Sequence, residues 1–388
     1  MANWNFVIGS SSYHYLTFKQ KKENAIQLAS ILRNKGWTDI AIAGLFGNIE
    51  YEGVFNPGQC EVDHGVPSGN NDTSYNYGLG FIQWTKPSGG SINPLLKYAD
   101  ENNSYWWEGD IQAEYLDKAD DYTYNYGLWG WISSAEYPIT FSQFKQLNTT
   151  PSNASSAWLY NVERPGNPQG SESIRAQRAE QWYEIITYKP RLNYVGTDTL
   201  AYYREYSPYF SYDSHGDWLG LNNCTAYAFG RWNELANVTA YNTNWPTGDG
   251  EQWYQQGIAK GFAYGNVSKL GAAPSWSYTG GGHVAVVEEI DYDDYWNPVS
   301  FVVSNSAYNH GQSAPDRPDQ RGPNQVGYDY FPWFYLDTIQ VSNMDFDYGS
   351  GSFNGFIYHP SITPNPPAPT PIPSVRKMPF IFYLKRKM

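Results

Sequence analysis

Cysteine is nearly missing from this chain of 388 residues, which holds only Cys60 and Cys224. Two thiols so far apart build no disulfide framework, and such a chain suits a reducing compartment such as a cytosol. Positive charge is also short. Against 38 Asp and Glu stand 25 Lys and Arg, a net charge of −13, which argues against nucleic acid as a partner for the body of the protein. No apolar run has the length of a transmembrane helix. The first residues, Met-Ala-Asn-Trp-Asn-Phe-Val-Ile-Gly, lack the basic cluster and apolar core of a signal peptide, so export by that route is not expected. There is no His-Cys cluster and no His-Glu-x-x-His, so zinc is not expected either. No internal repeat is evident.

Aromatic residues are abundant at 18%, with 35 Tyr and 16 Trp. Their faces stack on the apolar faces of sugar rings, and so many Tyr in a polar chain are expected to include surface or groove positions. The length allows two or three domains. Residues 18–35 carry Ala25, Leu28, Ala29 and Leu32 at helical spacing, with Gly36 as the stop. Thr38 caps a second helix running to Glu52 that is apolar on every side, as a helix buried within a domain would be. Further helical character falls near 92–118, 140–147, 171–187 and 223–236, and strand signals at 283–290, 299–304, 334–341 and 355–358. This order predicts an α-rich domain over 1–187, a linker at 188–196 and an α+β domain over 197–360. Residues 361–375 are Pro-rich and read as an extended spacer. Beyond it lies a basic, partly apolar tip; the last 28 residues hold five Lys or Arg and no acid.

Cys224, His283 and Asn305 occur in that order within Asn-Cys-Thr-Ala-Tyr-Ala-Phe-Gly-Arg, Gly-Gly-His-Val-Ala-Val-Val-Glu-Glu and Val-Val-Ser-Asn-Ser. A thiol becomes a nucleophile when an imidazole takes its proton, and a third polar group fixes the imidazole. These flanks resemble the CHAP domains of bacterial and phage peptidoglycan hydrolases, which implies a papain-like α+β fold with an antiparallel sheet. The resemblance makes Cys224 the nucleophile at the start of a helix, where the dipole is expected to lower its pKa. It makes His283 the base on a strand. Asn305 would orient the ring where the family often has Glu, with Asn309 as the alternative. Asp213, His215 and Asp217 precede Cys224 where some CHAP domains bind calcium. Their spacing matches no recognised calcium loop, so calcium stays an option and no metal ligand is assigned.

In the first domain, Glu50 and Glu52 both end the apolar helix. Burial there would raise a carboxyl pKa, as a general acid for glycoside cleavage requires, but periodicity does not choose between them. Gly47-Asn48-Ile49-Glu50-Tyr51-Glu52-Gly53-Val54-Phe55-Asn56-Pro57 resembles the Gly-Asn-Ile-x-x-Glu-Ser-x-Phe-Asn-Pro motif of phage tail lysozymes. Tyr77-Gly78-Leu79-Gly80-Phe81-Ile82-Gln83-Trp84 resembles the family's cleft segment. Glu163-Arg164-Pro165 with Arg175-Ala176-Gln177-Arg178-Ala179 resembles its C-terminal signature. The resemblance places the catalytic acid at Glu52 and makes Tyr77, Gln83 and Trp84 cleft-lining, sugar-stacking candidates. Gly53 stands where the family has Ser. Glu61 or Asp63 would supply a second carboxylate; without one, attack by the substrate's own hydroxyl becomes an option.

Together these readings describe a bifunctional peptidoglycan hydrolase carried on a phage tail tip. It would be made in the host cytoplasm and act on the wall of a Gram-positive host to aid genome delivery, with other virion tail proteins as partners. A lysis-stage endolysin, a conjugation-associated hydrolase and a non-catalytic wall-binding tail-knob component are the alternatives.

Overall fold

The computed structural model describes residues 3–9, 16–86, 90–118, 130–193, 202–203, 208, 210–212, 218–220, 223–238, 244–278, 281–306, 334–345 and 351–362. These divide into two compact units, with the boundary between Thr187 and Tyr188. Asn309, the three calcium candidates, the Pro-rich spacer beyond residue 362 and the basic tip lie outside the described residues.

The first unit is helical: α1 (Phe18–Asn34), α2 (Asp39–Glu52), α3 (Pro94–Glu101), α4 (Gly109–Leu116), α5 (Phe141–Lys145), α6 (Pro151–Trp158) and α7 (Gln169–Thr187). A π-helical turn, Leu159–Glu163, continues α6. Thr17 and Gln20 form a capping box on α1, and the Thr38 hydroxyl accepts the Ala41 N–H at the start of α2. The region 92–118, expected to be helical, is two helices separated by 102–108.

Helix α2 is the axis of this unit. Ala41 through Ile49 are all buried, as the all-round apolar sequence predicts. Two glycines let its neighbours come close. A Cβ at Gly44 would sit 2.5 Å from the Ala154 Cβ of α6, and one at Gly47 would sit 2.3 Å from the Arg175 carbonyl of α7. Around this contact Trp37, Trp131, Phe141, Phe144 and Trp158 interlock ring on ring. Much of the Trp content is thus core: Trp106, Trp158 and Trp182 here, and Trp232, Trp253 and Trp276 in the second unit, are fully buried.

The second unit is α+β, with antiparallel sheets. Its helices are α8 (Cys224–Ala236) and α9 (Gln252–Ala259), and its strands are β1 (Phe210–Tyr212), β2 (Trp218–Gly220), β3 (Tyr264–Gly265), β4 (Ala273–Ser277), β5 (His283–Val284), β6 (Val286–Tyr292), β7 (Pro298–Ser306), β8 (Phe334–Gln340) and β9 (Ser352–Ile357). Strands pair as β1-β2, as β3-β9-β4-β5 and as β6-β7-β8. The run 283–290, expected as one strand, breaks at Ala285, whose N–H bonds the Pro274 carbonyl while its neighbours join different sheets. The register sets His283 opposite Trp276 and Asn305 opposite Tyr335. Residues 188–191, expected within the linker, bond into this unit: the Tyr188 hydroxyl and the Arg191 N–H both donate to Glu288.

Candidate active sites

Glu50 and Glu52, which periodicity could not separate, face different surroundings. Glu50 turns inward, where its carboxylate lies 3.7 Å from the buried Lys21 ammonium of α1. Glu52 keeps a quarter of its side-chain surface and is ion-paired to Arg175 of α7. The Arg175 guanidinium is buried and anchored, donating to Asn48 Oδ1 (3.0 Å) and Ser171 Oγ (3.1 Å). The exposed Tyr51 ring lies 4.0 Å from it.

A further carboxyl joins this cluster. Glu163 closes the π-helical turn after α6, and residues five apart stack in such a turn. That geometry lets the Trp158 indole N–H donate to Glu163 Oε1 at 2.9 Å. The residue keeps some surface, but its carboxyl is enclosed. Burial first, and the charge of Glu52 second, push its pKa up to about 7 against the pull of Arg175, Trp158 and Arg164.

The expected second carboxylates are placed differently. Glu61 accepts the Gly78 N–H at 2.8 Å and so ties two loops together. Asp63 is exposed in left-handed backbone. The main charges acting on Glu163 are Glu52, Arg175 and Arg164.

Of the cleft candidates, Tyr77 is exposed and stacks on His64 with ring centroids 3.5 Å apart. Gln83 adopts left-handed backbone and donates to the Gly80 carbonyl at 3.0 Å. Trp84 does not fit the stacking role. It is 2% exposed and packs on Tyr115, so it supports the segment from behind. Gly53, in the place of the family's Ser, has a steric reason here. A Cβ would lie 2.5 Å from the Phe81 carbonyl oxygen and 2.6 Å from that of Gly80, so the missing side chain lets the cleft segment close over the end of α2.

In the second unit Cys224 opens α8, and the Asn223 side chain caps it by accepting the Ala226 N–H at 2.9 Å. The backbone N–H groups of Val284, Thr225 and Cys224 act on the sulfur, which therefore lies against the residue following His283. The expected lowering of the thiol pKa does not prevail. Cys224 is half-buried, yet the protein around its sulfur pushes the thiol up to about 11; those N–H groups lower it by less, and Asp249 raises it. Burial has outweighed the helix dipole.

His283 is buried, which pulls its pKa down to about 4 despite the opposing hydrogen bond that its ring donates to Asn305. Asn305 Nδ2 donates to the Tyr335 carbonyl (3.2 Å), so Oδ1 is the acceptor that faces His283 Nε2 at 2.9 Å. The imidazole proton therefore sits on Nε2, and Nδ1 is the basic nitrogen. Burial thus favours the neutral thiol at Cys224 and the neutral imidazole at His283.

Charge is kept one shell away. Arg231 of α8 donates from Nε and Nη2 to the two oxygens of Glu288 on β6, each at 2.9 Å. Ser304 of β7 donates to Glu288 Oε1 at 2.6 Å and Tyr188 to Oε2 at 2.8 Å. This network joins the helix bearing Cys224 to the strands that follow His283 and carry Asn305. Among the described residues, no cluster of three His, Cys, Asp or Glu side chains could hold a metal ion, and none of their helices is long and apolar enough to cross a membrane.

Sequence reading missed the roles of Arg175 and Glu163. Their only signal was membership in the Glu-Arg-Pro and Arg-Ala-Gln-Arg-Ala segments, which says nothing of what they touch.

Comparison with known proteins follows the same division. The phage tail lysozyme family matches residues 23–186, and the CHAP domain family matches residues 212–306. Morphogenesis protein 1 of Bacillus phage B103 is 29% identical over 182 residues, 45% of this chain and 42% of that protein. The match thus spans less than half of that relative's length. The structure of an N-acetylmuramoyl-L-alanine amidase from Staphylococcus aureus aligns over 62% of this chain and 59% of its own at 13% identity, with a TM-score of 0.21, too low to bear on the fold.

Proposed function

We propose, for a chain that joins an N-terminal phage tail lysozyme domain to a C-terminal CHAP domain, that it is a peptidoglycan hydrolase of a phage tail that cuts both the glycan strand and its peptide part. In the first domain Glu52 protonates the leaving glycosidic oxygen, with Tyr77 and Gln83 lining the cleft. In the second, the Cys224 sulfur attacks an amide carbonyl while His283 Nδ1 takes the thiol proton. His283 passes that proton to the leaving amine, and water then splits the thioester. Asn305 holds the ring in the required tautomer, and backbone N–H groups at the start of α8 stabilise the oxyanion.

The observation that carries this reading is the 2.9 Å bond between His283 Nε2 and Asn305 Oδ1, which leaves Nδ1 as the basic nitrogen, together with Cys224 at the start of a capped helix. Placement on the virion tail, rather than in a lysis-stage endolysin, is supported by the tail lysozyme match and by a relative that is a phage morphogenesis protein. The substrate is the wall of a Gram-positive host, opened locally for genome delivery.

Mass spectrometry of fragments from purified Gram-positive peptidoglycan tests this. Glu52→Gln removes new glycan ends and Cys224→Ala removes new peptide ends, each leaving the other. A wild-type protein that sediments with walls but releases nothing would establish a binding component instead. Copurification with virions separates tail protein from endolysin.

A further inference from the structure

An exposed Tyr that stacks on a sugar gives up side-chain freedom as the ligand binds, so a ring whose plane is already held binds more tightly. Tyr77 is 38% exposed, yet its ring has two aromatic neighbours. The half-buried His64 imidazole lies face to face with it, with centroids 3.5 Å apart and planes 9° apart. The buried Tyr75 ring meets it at 84°, with centroids 5.7 Å apart.

His64 reaches that face through a short turn. The Glu61 N–H donates to the Gly78 carbonyl at 2.9 Å and Glu61 Oε2 accepts the Gly78 N–H at 2.8 Å, which locks Glu61 beside the residue that follows Tyr77. Asp63 then takes left-handed backbone (φ 64°), and the His64 N–H donates back to the Glu61 carbonyl at 3.2 Å, closing the turn. Tyr77 is pinned from its own side. The buried Asn93 donates from Nδ2 to the carbonyls of Tyr77 (3.0 Å) and Trp84 (2.6 Å). These bonds fix two backbones and leave the torsions of the Tyr77 side chain to its ring contacts. The same segment runs to the proposed acid. A Cβ at Gly78 would lie 2.7 Å from Gln83 Oε1, and one at Gly53, next to Glu52, would lie 2.6 Å from the Gly80 carbonyl oxygen. The two stacked rings therefore stand on the segment that closes over the end of α2.

We propose that His64 is a positioning residue for the glycan: its imidazole holds the Tyr77 ring in the plane on which a sugar of the glycan strand stacks. This rests on the reading of Tyr77 as a cleft residue. His64 acts through Tyr77, so what the stack requires of it is a flat ring, and a hydrogen-bonding side chain without a ring does not replace it. The contact is made in the ground state and the transition state alike, so its loss raises KM and leaves kcat in place.

The test is calorimetric binding of peptide-free glycan strands to the full chain carrying Glu52→Gln, with KM and kcat of glycan cleavage measured beside it in the chain that keeps Glu52. His64→Ala and His64→Gln each weaken binding and raise KM by about threefold to tenfold, with kcat unchanged. His64→Phe restores the stack and brings both values back toward wild type. Tyr77→Ala weakens binding at least as much, and adding His64→Ala to it changes nothing further. A second loss of equal size in that double variant overturns the proposal, because His64 would then act without Tyr77. Weaker binding in Tyr77→Ala with none in His64→Ala also overturns it and leaves Tyr77 as a cleft residue. No weakening in either variant overturns both the proposal and that placement of Tyr77. Should His64→Ala not fold, the Gln and Phe variants carry the same comparison, and equal binding by the two overturns the proposal.

Discussion

The two sites use burial to opposite ends. In the lysozyme domain, charge stands at the proposed acid: Arg175 is ion-paired to Glu52, and Glu163 is pushed up to about 7 by burial first and by the charge of Glu52 second. In the CHAP domain the proposed nucleophile and base are held neutral. Burial holds the thiol up at about 11 and His283 down at about 4, while the charged pair Arg231–Glu288 lies behind them as scaffold. Desolvation always favours the uncharged form. For a carboxylic acid that means a proton available at neutral pH. For an imidazole it means a free lone pair. One physical effect thus favours a protonated carboxyl at Glu163 in one domain and an unprotonated imidazole at His283 in the other.

The largest expected effect breaks the scaffold rather than the chemistry. Glu288→Ala takes from the buried Arg231 guanidinium the carboxylate it meets through two nitrogens, leaving it Glu234 and the Lys189 carbonyl, and removes the carboxylate that accepts from Ser304. Breaking such a pair costs about 3–5 kcal/mol. Amide cleavage is expected to fail with a lowered melting transition while glycan cleavage survives, as calorimetry with separate activity assays would reveal. Loss of both activities together would show that the domains do not behave independently.

Acidity is the next lever, and it acts on the domains in opposite directions. His283 and His359 both titrate near 4 in the folded protein, below their usual value near 6.5, chiefly through burial. The unfolded chain takes up these protons first. Stability of the CHAP domain is therefore complete above pH 6.5 and falls between 6.5 and 4, by up to about 3 kcal/mol for each histidine. Glu163 is raised instead, so its contribution to the lysozyme domain is full below the ordinary carboxyl range and is lost as pH rises through 7. Melting curves from pH 4 to 8 should show the two transitions moving in opposite senses. Glu163→Gln should raise the lysozyme transition at pH 8.

How far these sites could be read without a structure follows the same line. Cys224, His283 and Asn305 were singled out by the resemblance of their flanks to CHAP domains, and those runs form the expected helix start and strands. Glu52 was singled out by its resemblance to the family's motif, but its ion pair with Arg175 was not foreseen. Arg175 and Glu163 meet it only because Gly44 and Gly47 let α6 and α7 approach α2, and no periodicity within one helix encodes that. The α6 segment also went unread, although Thr150 and Pro151 mark its start. Its Ser and Asn content disfavours a helix, and packing overrides the preference. Trp84 failed for the complementary reason: an aromatic beside a glycine-rich loop reads alike whether it faces a sugar or the core.

Gly53→Ser probes that packing on a smaller scale. The added Cβ would meet the Gly80 and Phe81 carbonyls, and overpacking of this kind costs about 1–3 kcal/mol. Glycan cleavage should fall while amide cleavage holds. A variant of full activity and unchanged melting would show that the cleft segment gives way easily.

Asn305→Asp asks whether the two strategies can be exchanged, and it should change the neutral-pH rate least. It places a carboxylate on His283 Nε2 in place of a neutral acceptor. The opposite charge favours imidazolium and raises the pKa of His283 from about 4. Base catalysis needs the neutral ring, so the acid limb of amide cleavage is expected to move up by about one to two pH units. The new aspartate also loses the donor to the Tyr335 carbonyl, which should lower the melting temperature without moving the limb. The two measurements therefore report separate consequences of one substitution. An acid limb that stays in place, in a protein that still folds, would mean that burial alone sets the basicity of His283 and that Asn305 serves only to aim the ring.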